Sequence, residues 1–425
     1  MPNYESSRHH FVETVRWRPE QGAERVNDHI LLSRGTTSSH LVSTDGGDVV
    51  VNTGFAYQGD RHRERFEELL GRPLKVRKIL LTQCHPDLVG GWAAFADEGS
   101  ETIVQRNFSA NRGDRVTLFK FFEPRRKRIL HGIMPDPDHA KVMRFPKDLE
   151  TPTEFSDVHT FELGGRRFEL YSVPAGETTC SMIVWMPDEG TLFTGNMMGA
   201  LYGALPHLYT LRGDRGRSTP QFIRDVERII SLRPSLLLTG HDDPIVGGDR
   251  IQADMTKLRD AVRHIFDETI KGMNAGTDLF TLMREIRLPP HLEMAPGRGP
   301  VSWYVRAVWE EHTGWFRHEL TTELYSPPAT AIWPKLAQMA GGPDALAAEA
   351  RQRLAAREPV QALHFVEIAL AAAPEHRGAR EAELEALEQL IDLTEGKTYD
   401  ELGWLETKVR EANEVLGRSG GAPSP

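Results

Sequence analysis

Short runs of branched and aliphatic residues, separated by turn residues, dominate the chain from residue 28 to residue 241. Ile30-Leu31-Leu32, His40-Leu41-Val42 and Asp48-Val49-Val50-Val51 are the first three, and Arg34-Gly35 and Asp45-Gly46-Gly47 between them supply turn chemistry. A helix-type period follows over residues 60–70, apolar at Phe66, Leu69 and Leu70, and leads to a fourth strand-like run at 76–81. Strand texture returns at 161–163, 168–173, 182–186 and 191–194, followed by a helical stretch at 221–232 and a last run at 235–238. Strands alternating with helices predict an α/β layered sheet rather than separate α and β domains. Residues 106–150 are less regular, rich in Arg, Lys, Pro and His.

Beyond Gly247-Gly248 the texture turns helical. Residues 250–272 carry an apolar face, and 346–354, 360–373 and 380–393 are rich in Ala, Glu, Leu and Arg. One helix, a turn containing Pro374 and a second helix make the pattern of a tetratricopeptide-type (TPR-like) hairpin. A single pair is not a solenoid, so it must dock on the first domain or on a second chain. The pattern thus predicts an irregular arm at 1–27, an α/β domain at 28–250, an all-α domain at 251–417 and a flexible tail at 418–425.

Composition narrows the function classes. The chain has 425 residues, 39% hydrophobic and 26% charged, as ordinary globular proteins do. Its net charge of -10 argues against a general nucleic-acid binder. Two cysteines cannot make a disulfide framework, no apolar run reaches membrane-spanning length, and the N-terminal stretch lacks a signal-peptide core. A cytoplasmic protein acting on a small molecule is the expectation.

Candidate chemistry gathers where the runs end. Thr82-Gln83-Cys84-His85-Pro86-Asp87-Leu88-Val89-Gly90-Gly91 follows the fourth run, Glu177 follows residues 171–173, Asn196 follows 192–194, and His241 follows 236–238. Polar groups at successive strand ends converge if those strands share a sheet edge. His85, Asp87, Glu177 and His241 are residue types that would suit one zinc, iron or manganese ion. The alternative is that they hydrogen-bond one another and hold none. Cys84 and Cys180 both lie beside these candidates, read either as small core residues or as a thiolate ligand or nucleophile. Pro124-Arg125-Arg126-Lys127-Arg128 is a compact basic cluster, either a solvated face or an insertion that attracts an anion.

The motif at 82–91 resembles the T-H-x-H-x-D-H-x-G-G signature of the metallo-β-lactamase superfamily, and Asn52-Thr53-Gly54 resembles its D-T-G turn. Residues 207–213, His207-Leu208-Tyr209-Thr210-Leu211-Arg212-Gly213, resemble the N-x-Y-T-L-R-G segment of bacterial alkyl sulfatases. Residues 313–328 and 336–376 resemble their Y-L-G-W-F segment and helical dimerisation domain. The resemblance implies an αββα sandwich followed by a helical dimerisation domain, and hence a homodimer. It also implies that Gln83, His85 and Glu177 stand at the first metal position, Asp87, Leu88 and His241 at the second, and Asn196 at the bridge. Gln83, Leu88 and Asn196 are not the usual ligands, so two metals are not expected and one is the most the residues would hold. Arg212 would grip a sulfate, phosphate or carboxylate, or else serve a structural ion pair. His207, where the family has Asn, would be a proton donor. The implied activity is hydrolysis of a small anionic or ester substrate. The alternatives are a lyase, isomerase or redox reaction at the same site, or a metal-free, non-catalytic protein.

Overall fold

Alternation along the strands sets the layers. In the computed structural model, which describes residues 22–130, 149, 152–199, 201–206, 208, 210–211, 213 and 217–417, seven strands form the first sheet in chain order. They are β1 (Ala23–Arg25), β2 (Ile30–Ser33), β3 (Ser39–Thr44), β4 (Gly47–Val51), β5 (Val76–Leu80), β6 (Glu101–Gln105) and β7 (Thr153–Phe155). Pairing is antiparallel from β1 to β4 and parallel from β4 to β7. The second sheet has the order β13-β12-β11-β10-β9-β8. Its strands are β8 (Val158–Leu163), β9 (Arg166–Ser172), β10 (Met182–Met186), β11 (Thr191–Gly195), β12 (Leu236–Thr239) and β13 (Ile245–Val246).

Odd and even residues of each strand enter different cores, as a period of two requires. Val49, Val51, Leu80 and Ile103 of the first sheet meet Met182, Val184, Phe193 and Leu238 of the second, which makes the core between the sheets. Their neighbours Val50, Ile79 and Val104 turn outward to meet Phe66 of helix α1 (Gly59–Leu70). Ile183, Trp185, Leu192 and Leu237 turn the other way, onto Phe222 of α5 (Thr219–Leu232) and Met255 and Val262 of α6 (Gly248–Asn274). The result is the expected αββα sandwich. Each fully buried side chain of this kind stabilises the fold by about 1.5–3 kcal/mol relative to exposure.

Two features differ from the pattern reading. Residues 106–130 are regular after all, in two helices, α3 (Phe108–Thr117) and α4 (Phe119–Ile129), with α2 (Pro86–Val89) before them. Pro124 lies inside α4, where it removes one N–H from the helix ladder without ending the helix. Of the basic cluster, Arg126 is buried and its guanidinium lies over the Phe122 ring, so that part of the cluster is not a solvated face. The second difference is the division of the chain, which falls after Trp309 and not at residue 250. The reason is that α6 buries Ile251, Met255, Leu258, Val262 and Ile265 in the same core as the second sheet, and α8 (Val301–Thr313) adds Tyr304 and Val305, with α7 (Leu279–Glu285) between them in sequence.

The unit from Glu310 onward is helical: α9 (Trp333–Met339), α10 (Pro343–Ala355), α11 (Pro359–Ala372), α12 (Arg377–Thr394) and α13 (Tyr399–Val415). Ala350, Leu354, Ala362, Val366, Ala382 and Ala386 form one of its cores, where α10, α11 and α12 meet mainly through small residues, and the predicted helical hairpin is α11 with α12. No helix among the described residues is long and apolar enough to cross a membrane.

Candidate functional site

The glycine pair of the 82–91 motif has a steric reason. A Cβ on Gly91 would lie 2.2 Å from the Thr53 carbonyl oxygen and 2.6 Å from Gly59 Cα, so the chain after β5 can pass under α1 only without side chains. Asn52, at φ 60, makes the adjoining turn, and its Oδ1 accepts from the Thr82 N–H (2.9 Å) and hydroxyl (3.0 Å). Asparagine tolerates this left-handed conformation better than most residues. These contacts fix the end of β5, and with it His85 and Asp87.

The strand-end residues do converge, in two halves. In the first, Gln83 Nε2 donates to Glu177 Oε2 at 2.7 Å and Gln83 Oε1 accepts from Ser181 Oγ at 3.2 Å. His85 Nδ1 lies 3.1 Å from the same Glu177 oxygen, and His85 Nε2 is in hydrogen-bond contact with Nη2 of Arg115 on α3. A guanidinium only donates, so Nε2 is the acceptor and the imidazole proton sits on Nδ1, directed at Glu177; the Gln83 amide nitrogen, 3.0 Å from the same Nδ1, then donates to Glu177 and not to the ring. Gln83, His85, Glu177 and Arg115 are all buried.

The second half is half-buried. Asp87 Oδ2 accepts from Thr37 Oγ1 (2.6 Å) and from Asn196 Nδ2 (3.2 Å). His241 Nδ1 lies 2.5 Å from the Thr36 carbonyl oxygen, an acceptor, so Nδ1 carries the proton and Nε2 keeps its lone pair. Burial pulls the His241 imidazole below its ordinary value; Asp87, the Thr36 carbonyl and Glu177 pull it back up and Arg298 pushes it down, with a net lowering. His241 is therefore neutral at physiological pH, within electrostatic reach of Asp87, Glu177 and Arg298. Beside it, burial lifts the Asp242 carboxyl to about 7, against hydrogen bonds from Thr239 Oγ1 (3.1 Å) and the Tyr202 N–H (3.1 Å) that pull it down.

The expected shell for one ion, His85, Asp87, Glu177 and His241, is not formed by these side chains. An ion on an imidazole nitrogen sits at about 2.0–2.1 Å along its lone pair, and that direction on His85 belongs to Arg115. Leu88 is wholly buried in the apolar core outside the first sheet and offers nothing. Among the described residues no group of three or more His, Cys, Asp or Glu side chains is arranged to hold a metal. The donors as they stand do not fit an ion, and no step is routed through one here.

Cys84 and Cys180 are both fully buried in the core outside the first sheet. They touch each other: burial alone would raise the Cys180 thiol, and hydrogen bonds from Cys84, Thr178 and Asn111 outweigh it, leaving the thiol below its ordinary range. His207 and Arg212 lie outside the described residues.

Arg115, Thr36, Thr37, Ser181 and Arg298 are site residues that escaped the sequence reading. Arg115 alone had a signal. With Phe108 and Asn111 it falls at helical spacing on the buried face of α3, which marks a polar group that must find a partner inside.

Comparison with known proteins agrees with this architecture. Residues 32–241 match the profile of the metallo-beta-lactamase superfamily, and residues 281–402 match that of alkyl sulfatase dimerisation. The chain thus carries a region similar to the metallo-beta-lactamase superfamily, followed by one similar to the alkyl sulfatase dimerisation domain. It is 23% identical over 326 residues, 71% of the chain and 60% of the relative, to a linear primary-alkylsulfatase of Pseudomonas sp.. It is 25% identical over 419 residues to the alkyl/aryl-sulfatase BDS1 of Saccharomyces cerevisiae, covering 90% of the chain and 64% of the relative. Among solved structures, the stereoselective inverting sec-alkylsulfatase Pisa1 from Pseudomonas sp. superposes with a TM-score of 0.79 at 18% identity, over 93% of this chain and 65% of that one. The chain spans less than two thirds of these relatives, and at such identity the structural likeness is one of fold.

Proposed function

We propose that the protein is a hydrolase of small anionic esters, with alkyl sulfates as the leading substrate class. The observation that carries this reading is His241: a neutral imidazole with its tautomer set by the Thr36 carbonyl and its Nε2 lone pair retained, beside Asp87. Such a nitrogen takes a proton from water as the water oxygen bonds to the reacting centre of the ester and the ester C–O or S–O bond breaks; the imidazolium then gives its proton to the departing oxygen or to solvent, and alcohol and sulfate leave as separate products. Asp87, held by Thr37 and Asn196, orients the water and stabilises the imidazolium that forms. Arg298 and Arg115 supply positive charge for the anionic head. A separate small cluster of Phe55, Tyr57 and Phe119, whose Tyr57 senses the Asp87 charge, suits an apolar tail. The names of the relatives support the sulfate ester class.

Ion chromatography of sulfate released from hexyl, octyl and aryl sulfates tests the reading. Release above background that is lost in His241→Gln supports it. No turnover across these and a panel of phosphate and carboxylate esters would remove it. A non-hydrolytic or non-catalytic protein would then be left, which the engagement of His85 and Glu177 in mutual hydrogen bonds favours.

We further propose that the chain works as a homodimer through its helical unit. That unit leaves Trp315 (74%), Tyr325 (67%), Ile332 (59%) and Met339 (74%) exposed to an extent unusual for such side chains, and its profile match is to a dimerisation domain. Light scattering after size exclusion that returns a monomer mass would count against it.

A further inference from the structure

We infer that the corner between α3 and α4 is an interfacial contact element, which lays exposed apolar side chains flanked by cations against an anionic lipid surface. The surface binding goes beyond the hydrolase reading; that such a surface presents amphiphilic substrate to the site rests on that reading.

A single residue makes the corner. Leu118 ends α3 and begins α4: its N–H donates to the Asp114 carbonyl (2.9 Å), and its carbonyl accepts from the N–H groups of Phe121 and Phe122 (3.0 Å each). With no linker, the side chains of the two adjoining turns divide between inside and outside. Arg115 is buried and Phe119 packs on Phe55, whereas Val116 (56%), Leu118 (45%) and Phe121 (57%) stand exposed. Three large apolar side chains so close together are more than the scattered exposure ordinary for a surface. Their support is built in. The Phe121 ring meets Phe122 edge-on at 5.3 Å between centroids, and Phe122 is backed by Gly213, where a Cβ would lie 3.1 Å from the ring. Leu211, two residues before that glycine, is exposed as well.

Charge selects the partner. The chain carries -10 overall, so approach to an anionic surface is opposed unless cations stand at the contact. Lys120 and Arg125 stand exposed on α4, and the Arg125 guanidinium carbon lies 5.0 Å from the Phe121 ring centroid. Phenylalanine and leucine at the acyl boundary, with lysine and arginine at headgroup level, are how a helix lies in a bilayer surface. Each cation near an anionic membrane strengthens binding about fivefold. A bilayer also accepts a projecting corner without offering a matching groove. No helix among the described residues is long and apolar enough to cross a membrane, so the contact is with the surface.

Position ties the corner to the site. Phe119, between exposed Leu118 and Lys120, shares the Phe55 cluster with Tyr57, whose hydroxyl lies 3.3 Å from Thr36 Oγ1. The Thr36 carbonyl in turn holds His241. An amphiphile leaving the surface at the corner meets this apolar cluster first and the imidazole after it.

Co-sedimentation of the full-length protein with vesicles tests the inference, using mixed phosphatidylglycerol and phosphatidylcholine against phosphatidylcholine alone. Binding to the mixed vesicles is expected at low salt, about 10-fold or more weaker on phosphatidylcholine alone and weakened again by high salt. Phe121→Asp should weaken it about 10-fold or more. The double variant Lys120→Glu, Arg125→Glu should weaken it about 25-fold or more. Wild-type protein that stays in the supernatant at low salt would overturn the inference, as would equal binding to both vesicles or undiminished binding by the folded variants. A Phe121→Asp protein whose mass falls in light scattering would place a second copy of the chain on this face, and would overturn it too. Should Phe121→Asp fail to fold, the charge variant and the two vesicle compositions still decide. Vesicle binding without turnover of any ester leaves this inference standing and removes the hydrolase reading. Turnover of dissolved esters without vesicle binding does the reverse.

Discussion

The two halves of the site hold the same kinds of residue and use them differently. Around Glu177, an imidazole, an amide and a guanidinium are buried and engaged with one another: Gln83 and His85 on the carboxylate, Arg115 on His85. Around Asp87, the imidazole of His241 keeps a free nitrogen, and both Asp87 and His241 are only half-buried. A histidine with both nitrogens committed is a structural group, whereas one with a single nitrogen committed is a base whose direction has been chosen for it. The contrast teaches that ligand residue types at superfamily positions do not by themselves define a metal site. What the remaining lone pairs do defines it.

If the Asp87 half is the working half, His241→Gln should bring the largest change. Removing a positioned general base costs about 10²–10⁴-fold in rate, and here the loss should appear in kcat with the fold intact by circular dichroism. The next largest should come from the other half and appear as stability. Glu177→Ala leaves the Gln83 amide and the His85 Nδ1–H without their shared acceptor in a buried setting, and each unsatisfied buried donor costs about 1–3 kcal/mol. Denaturant titration measures it. Equal losses of rate and stability from both substitutions would mean that the two halves act as one.

A third prediction concerns the loop that holds the working half together. Thr36 and Thr37, which bond His241 and Asp87, follow Gly35, and His62 packs beneath it: a Cβ on Gly35 would lie 2.9 Å from His62 Cε1. Burial pulls both His62 and its neighbour His40 down to about 3, aided by Arg65 and His40 for the first and by Arg34 for the second. In the unfolded chain both take protons near 6.5. Their neutral burial is therefore fully tolerated above about pH 6.5, and stability is lost as pH falls from there towards 3. Each histidine contributes a slope of up to about 1.4 kcal/mol per pH unit in that window. His62→Gln should flatten the stability profile by that amount, whereas Glu177→Ala should leave this slope in place.

Much of this architecture was legible in the sequence because a two-residue alternation must choose a face. Val49-Val50-Val51 and Ile79-Leu80 distribute themselves between two cores as the pattern predicts, and the strand ends bring His85, Asp87, Glu177 and His241 to one site. Helices α3 and α4 were not legible, since their charged residues mask the spacing of Phe108, Asn111 and Arg115. The wiring was not legible either. Arg115 reaches His85 across 30 residues, Thr37 reaches Asp87 across 50, and Thr36 reaches His241 across 205. Contacts at such separations leave no local period, so residue type left two readings open, one ion or mutual hydrogen bonds.

The smallest effect on stability is expected at Asn196, in the Asp87 half. Its Nδ2 donates to Asp87 at 3.2 Å, while its Oδ1 is buried without a hydrogen-bond partner. A Cβ on Gly240 would lie 2.0 Å from that oxygen, so the amide is packed against the chain just before His241. Asn196→Ala removes a hydrogen bond to a charged oxygen and at the same time removes an unsatisfied buried acceptor. The first change costs about 1.5–3 kcal/mol and the second returns about 1–3 kcal/mol, so the two largely offset each other and stability should move by no more than about 2 kcal/mol. Asp87, left with Thr37 alone, loses a direction as well as a donor, and the consequence should appear in rate more than in denaturant midpoint. A large stability loss in Asn196→Ala would mean that Asn196 holds the fold of the Asp87 half, and would make that half as structural as its counterpart around Glu177.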